Sequence, residues 1–392
     1  MKVLMVSDMY PPAVGGMEKE IQLLSEGLTT TKNCEVIVCT IRQGFLPPFE
    51  ETNHVKVYRL EGSFQRIPFL FTNPERKFYP PIEDRVITRK MEKILLEEKP
   101  DVVHTHNWML YSVLPLRRKM DFSLFVTFHD FGFICPRRWS SKHEDGICDK
   151  PLTIGCIKCG KSVYGTAKSF FAYIGLLANQ DFSCDALIFS NPNLGERLPD
   201  FGPKIYLGHP IDTEKYRPIR TPVYQDRILI WTKLDKMKGV ELIFQVAERL
   251  SNYRFDVAFI GDDKAYYKKI SPPNVNFIPK IESSKIPYVI NSYPMILGQF
   301  HVGVFGHAEL EAMSCSKPVI SYWKRKYDSF YDEPCPILSS KNVEEIVDLA
   351  ESHIQDEELG NVNRRWILKN HAVSIAVEKL HGIYAKTIGY SD

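Results

Sequence analysis

The sequence predicts an α/β protein of two doubly wound domains, and three observations predict it. Strand-length apolar runs alternate with helical patterns, a Pro- and charge-rich stretch interrupts them near residue 210, and the alternation then restarts. At 392 residues the chain is about twice the common domain size, so two cores fit. Apolar residues at 44% and charged residues at 25% exclude a disordered, collagen-like or disulfide-stapled chain. Fifty Lys and Arg against 48 Asp and Glu leave a net charge of +2, so no basic footprint for nucleic acid exists and any anion must meet a local site.

In chain order, residues 2–6, 35–39, 101–104, 124–128 and 186–190 read as buried parallel strands. Between the first two, residues 17–29 put Ile21, Leu24 and Leu28 on one helical stripe with Glu18, Glu20 and Glu26 elsewhere, as a crossover helix requires. The domain break falls in 209–227, where Pro210, Pro218 and Pro222 cluster. The second series follows: a strand from Ile228, a helix over 240–250, strands near 255–260, 275–278, 295–297 and 318–322, and a helical tail. The expected division is 1–210, 211–371 and a final helix within 372–392. In such folds ligands sit beyond the carboxyl ends of the strands, so the site is expected between the domains. No apolar run approaches about 18 residues and the chain opens into a strand pattern, so a cytoplasmic location is expected.

Chemistry-bearing residues fall at those strand ends. Gly15 and Gly16, after Pro11 and Pro12, stand between the first strand and first helix, where backbone could approach a ligand; a tight turn needing positive φ is the plainer reading, and Glu18 suits a first-turn acid. His104 and His106 alternate along one strand and so share a face, and His129 with Asp130 ends the next. A histidine inside an apolar run is usually a satisfied core residue, whereas His129 lies where the ligand is expected. Lys233 and Lys238 follow the first strand of the second domain and precede a helix, a placement suited to a diphosphate. Gln299, Gly303, Val304, Phe305 and Gly306 then lead into a short helix carrying Glu311, whose carboxylate could accept both hydroxyls of a ribose; Glu309 and Glu311 also suit ordinary first-turn acids.

Taken together these residues resemble glycosyltransferase family 4, retaining enzymes of GT-B architecture with two Rossmann-like domains facing across a cleft. The resemblance runs through Gly15, Gly16 and Glu18; His129 and Asp130; Lys233, Lys238 and Gly239; and Glu311, Ala312 and Met313 followed by Pro318 and Val319. Two positions depart from the family pattern. A family arginine is Lys233 here, and the first glutamate of the Glu-x7-Glu pair falls on Gly303, which cannot supply a carboxylate.

The resemblance implies transfer of a sugar from a UDP- or GDP-sugar to a hydroxyl acceptor, lipid-linked in some glycan-assembly routes. It places His129, Lys233 and Lys238 in catalysis. Gly15, Gly16, the 303–306 loop, Gln299 and Glu311 fall on the donor, and Glu18, His106 and Asp130 toward the acceptor or cleft. No metal is expected in the chemistry, since lysines and a helix N-terminus supply its electrostatics. Two competing readings keep the fold: a catalytically silent binding or scaffold subunit, and a nucleotide-sugar epimerase or phosphorylase.

Two features lie outside that frame. Cys135, Cys148, Cys156 and Cys159 form a Cys-rich insertion over 135–160, open to a structural Zn²⁺, two disulfides or four free thiols. Residues 64–71 and 169–177 are more apolar than a loop or short helix requires. Either could rest on a membrane surface, with Arg66, Lys77 or Lys168 near headgroups, though a loop folded onto the domain and a buried crossover helix are the plainer expectations.

Overall fold

The computed structural model describes residues 1–13, 15–67, 80–138, 141–142, 146–148, 152–179, 182–234, 236–260 and 264–390. The chain forms two compact units, Met1–Gly208 with Ala376–Asp392, and His209–Ile375.

The first unit is built on eight strands: β1 (Lys2–Ser7), β2 (Glu35–Ile41), β3 (Phe49–Thr52), β4 (Val55–Leu60), β5 (Val102–His106), β6 (Ser123–Thr127), β9 (Ala186–Phe189) and β10 (Lys204–Tyr206). A separate two-stranded hairpin pairs β7 (Ser141–Lys142) with β8 (Gly146–Ile147). The large sheet has the order β10-β9-β6-β5-β1-β2-β4-β3, parallel except for β3. Its order reverses around β1, where Val3 pairs with both Val36 and Val102, the switch point at which doubly wound folds hold ligands. Leu4, Val6, Ile37, Val103, Leu124 and Leu187 meet the stripe Ile87, Met91 and Leu95 of the helix Arg85–Glu98 in one core. Asp84 starts that helix by accepting from Val86 N at 2.9 Å. The helix Val373–Ile388 adds its later residues to this unit: Tyr384 is buried against Phe125, and Glu378 pairs with Lys32.

The second unit has five parallel strands, β11 (Arg227–Leu234), β12 (Arg254–Ile260), β13 (Val275–Phe277), β14 (Ile296–Leu297) and β15 (Val319–Ile320), in the order β13-β12-β11-β14-β15. On one face, Ile243, Phe244 and Ala247 of the helix Val240–Arg249 pack with Ile228, Ile230 and Val257; on the other, Leu229 and Trp231 join Leu310 and Met313 of the helix His307–Ser314. Both units are therefore Rossmann-like α/β layers.

One expectation changes. The segment 169–177 lies in the helix Thr166–Ala178, which buries only one face; Phe170, Phe171, Ile174 and Leu177 are 37–47% exposed. The other apolar segment begins with a 3-10 turn at Phe64–Arg66, and its residues 68–71, like Lys77, lie outside the described residues. Among the described residues no helix is long and apolar enough to cross a membrane.

Candidate functional site

In the first unit the carboxyl ends of β1, β5 and β6 carry a buried polar centre. His104 and His106 share a face of β5, with ring centroids 4.3 Å apart. His104 is a core residue: Nδ1 meets Tyr384 Oη at 2.6 Å and Nε2 meets Thr127 Oγ1 at 2.7 Å. Burial pushes its imidazole down to about 3, so it stays neutral. His106 is held well below its ordinary range by burial and by the neighbouring histidines, and its Nδ1 lies 3.0 Å from His129 Nε2 in a stacked pair. His129 is fixed from two further directions. Its backbone N donates to Asn107 Oδ1 at 3.0 Å, and its Nδ1 lies 3.9 Å from Glu20, whose carboxylate accepts from Ser190 at 2.7 Å.

Beside this stack stands an ion cluster that the sequence reading missed. Arg138, buried and with φ of 67°, donates through Nε to Asp130 Oδ2 at 2.8 Å, while its Nη1 lies 3.8 Å from Asp8 Oδ2. Asp8 sits just beyond β1, fully buried, accepting from Met109 N at 3.2 Å. Burial raises its carboxyl to about 7 against the opposing pull of Arg138. Asp130 also accepts from Gly132 N at 2.8 Å, so it braces the turn after His129. Gly15 is extended at φ of 179°, so a need for positive φ does not explain it; Gly16 opens the helix Gly16–Lys32 and Glu18 is buried in its first turn.

In the second unit the polar centre is a backbone frame. Glu309 Oε1 accepts from Gln299 N at 3.0 Å and Oε2 from Gly306 N at 2.9 Å, which ties the end of β14 to the N-terminus of the helix His307–Ser314. Burial raises the Glu309 carboxyl, opposed by Lys238 and these N–H groups. Gly298 is glycine because a Cβ would meet Glu309 Oε1 at 2.7 Å. Lys238 Nζ donates to Gln299 Oε1 at 2.7 Å, and Gln299 Nε2 donates to Val304 O at 2.7 Å. Both ends of the Gln299 amide are thus engaged within the unit. Lys233 is exposed at the end of β11, and Gly239, with φ of 80°, turns the chain into the next helix.

Val304 and Phe305 are core side chains, Phe305 stacking on Trp323 at 4.0 Å, so only their backbone could face a ligand. Gly303 has φ of 77°, and a Cβ there would meet the Tyr322 ring at 2.6 Å. A side chain at this position is disfavoured by conformation and by space. Glu311 is buried and accepts from the Tyr216 hydroxyl, whose ionisation burial and this carboxylate push up.

Among the described residues the four insertion cysteines form no disulfide. Among the described residues no three of their sulfurs lie within 4.8 Å of one another, so the tetrahedral set that zinc requires is not assembled. Cys156 and Cys159 sit on the helix Gly155–Tyr164, in which Gly160 is pressed on Ser169.

The sequence matches the family model Glycosyltransferase Family 4 over residues 14–154 and Glycosyl transferases group 1 over residues 212–367. A protein encoded in the cps region of Klebsiella pneumoniae is 27% identical over 184 residues, 45% of this chain and 48% of that protein. The match thus spans about half the length of this curated relative. Sucrose-phosphate synthase of Thermosynechococcus elongatus has the same fold at TM-score 0.69, with 14% identity and 100% of each chain covered. HepE of Anabaena, solved with UDP and glucose, superposes at TM-score 0.60 with 13% identity, covering 97% of this chain and 98% of that one.

Proposed function

Because the chain belongs to glycosyltransferase family 4, with a group 1 match over its C-terminal unit, we propose that it transfers a sugar from a nucleoside-diphosphate sugar to a hydroxyl acceptor with retained anomeric configuration. The observation that carries this reading is the frame around Glu309. A buried carboxylate orders Gly306 N and Gln299 N, and Gln299 in turn holds Lys238 beside a helix N-terminus. In such a transfer negative charge grows on the leaving diphosphate as the anomeric carbon becomes oxocarbenium-like. Pre-positioned cations and N–H donors lower that barrier without a protein nucleophile. Lys238 and Lys233 take the diphosphate. Glu311 serves the ribose, and His129 serves the donor sugar. With Gly303 in place of the family glutamate, sugar hydroxyls are read by backbone groups of the 303–306 loop. UDP is the first base to try, since HepE binds it.

Thermal-shift titration with UDP, GDP and their sugars tests the reading; a ligand at about a hundredfold excess over its Kd adds ~2.7 kcal/mol. Lys238→Ala is expected to lower donor hydrolysis by about 10²–10³-fold, and His129→Ala to lower it as well. A second reading has one specific observation behind it: no carboxylate stands at residue 303. A protein that nucleotides stabilise but that neither hydrolyses nor transfers any donor is a binding subunit.

A further inference from the structure

The helical hairpin made of Gly155–Tyr164 and Thr166–Ala178 carries an apolar face that the sugar-transfer reading does not use. Phe170, Phe171, Ile174 and Leu177 recur at the spacing of one helical side and are 46, 37, 40 and 47% exposed, and Ile154 at the start of the hairpin is 76% exposed. The orientation is fixed from behind. Ala172 and Leu176 pack on Trp108 and Tyr111, and a Cβ on Gly175 would meet Pro81 O at 2.3 Å, so the second helix cannot roll its apolar side inward.

Charge identifies the occupant. Residues 152–179 contain no Asp or Glu; their charged residues are Lys158 and Lys161, both exposed, and Lys168, which is buried. A second copy of the chain meeting this face about a two-fold axis would oppose lysines to lysines with no acid in the segment to compensate. An anionic lipid surface offers both an acyl region for the rings and a negative potential for the ammonium groups. The second helix, at 13 residues, is about 20 Å long, too short to span a bilayer but long enough to lie in its interface.

We propose that the outer face of this hairpin docks the protein on anionic membranes, with Phe170, Phe171, Ile174 and Leu177 entering the interface and Lys158 and Lys161 facing headgroups. Lys168 takes no part, because it points into the protein. The test is co-sedimentation of the full chain with phosphatidylcholine vesicles with and without phosphatidylglycerol. Binding is expected only to the anionic vesicles. It should fall at least about tenfold in the variant Phe170→Ser/Ile174→Ser/Leu177→Ser, and about fivefold for each of Lys158→Gln and Lys161→Gln. Nucleotide-induced thermal shifts should be unchanged in all three, which separates loss of docking from loss of the fold or of donor binding. No binding by the wild type, equal binding to neutral vesicles, or undiminished binding by the folded triple variant overturns the proposal. So does a wild-type dimer in light scattering that the triple variant converts to monomer.

Discussion

Asp8 and Glu309 are both fully buried carboxylates near the carboxyl ends of strands, one in each unit, and they are built oppositely. Each Glu309 oxygen accepts a backbone N–H; Asp8 accepts one through Oδ1, while among the described residues Oδ2 accepts no hydrogen bond and has the Arg138 guanidinium at 3.8 Å. A carboxylate saturated by N–H groups acts as a frame, because its charge is shared by fixed dipoles and the loops it ties cannot move without orphaning them. One left with an under-solvated oxygen is a group that titrates, and its carboxyl is raised to about 7. The second unit thus holds a rigid backbone frame around Glu309, and the first holds ionisable side chains around His129.

The comparison breaks most visibly at Glu309. Glu309→Ala leaves Gln299 N and Gly306 N unpaired in the core, so we expect a loss of about 4–6 kcal/mol in chemical denaturation, with nucleotide-induced stabilisation lost as well. Asp8 has a different signature. Its carboxyl is raised in the folded state, so the unfolded chain gives up the proton first as pH rises. Its penalty is therefore absent below about pH 4 and grows to a plateau above about pH 7, of the order of 4 kcal/mol at most. Asp8→Asn removes that dependence, and its stability relative to wild type should climb across this window in denaturation at fixed pH steps; a flat difference would mean that Asp8 is an ordinary ion-pair partner of Arg138. The smallest effect belongs to Gly303→Ala. Positive φ and the Tyr322 ring should cost about 1–3 kcal/mol in denaturant midpoint, and Gly303→Glu should lower donor hydrolysis.

The elements legible in the sequence are those whose burial is unbroken. β1 reads as Val-Leu-Met-Val because both its faces are covered, and the helix Gly16–Lys32 shows its stripe plainly. β4 escaped notice because Lys56 and Tyr58 interrupt it near the sheet edge, and β10 because three residues carry no period. At the candidate site, single residues at strand ends were visible as residue types: His106, His129 and Lys238. Their partners were not. Asp8 and Arg138 are 130 positions apart, Glu20 and Ser190 are 170 apart, and neither pair lies in a motif that local spacing could expose. Asp8 alone had a readable signal, an acid directly after an apolar strand. For Gly303 the sequence shows only that a carboxylate is absent; the positive φ and the Tyr322 ring that disfavour one come from the fold.

The bond from Tyr384 to His104 also sets an order of events during synthesis. Residues 376–390 leave the ribosome only after the whole of the second unit, yet they pack on the first. The early unit must therefore wait, with Phe125 and His104 uncovered by Tyr384, through the translation of residues 209–375, which belong to the second unit. A chain halted before residue 376 lacks the Tyr384 ring and hydroxyl that cover Phe125 and His104, so the first unit is closed only once the second has been made.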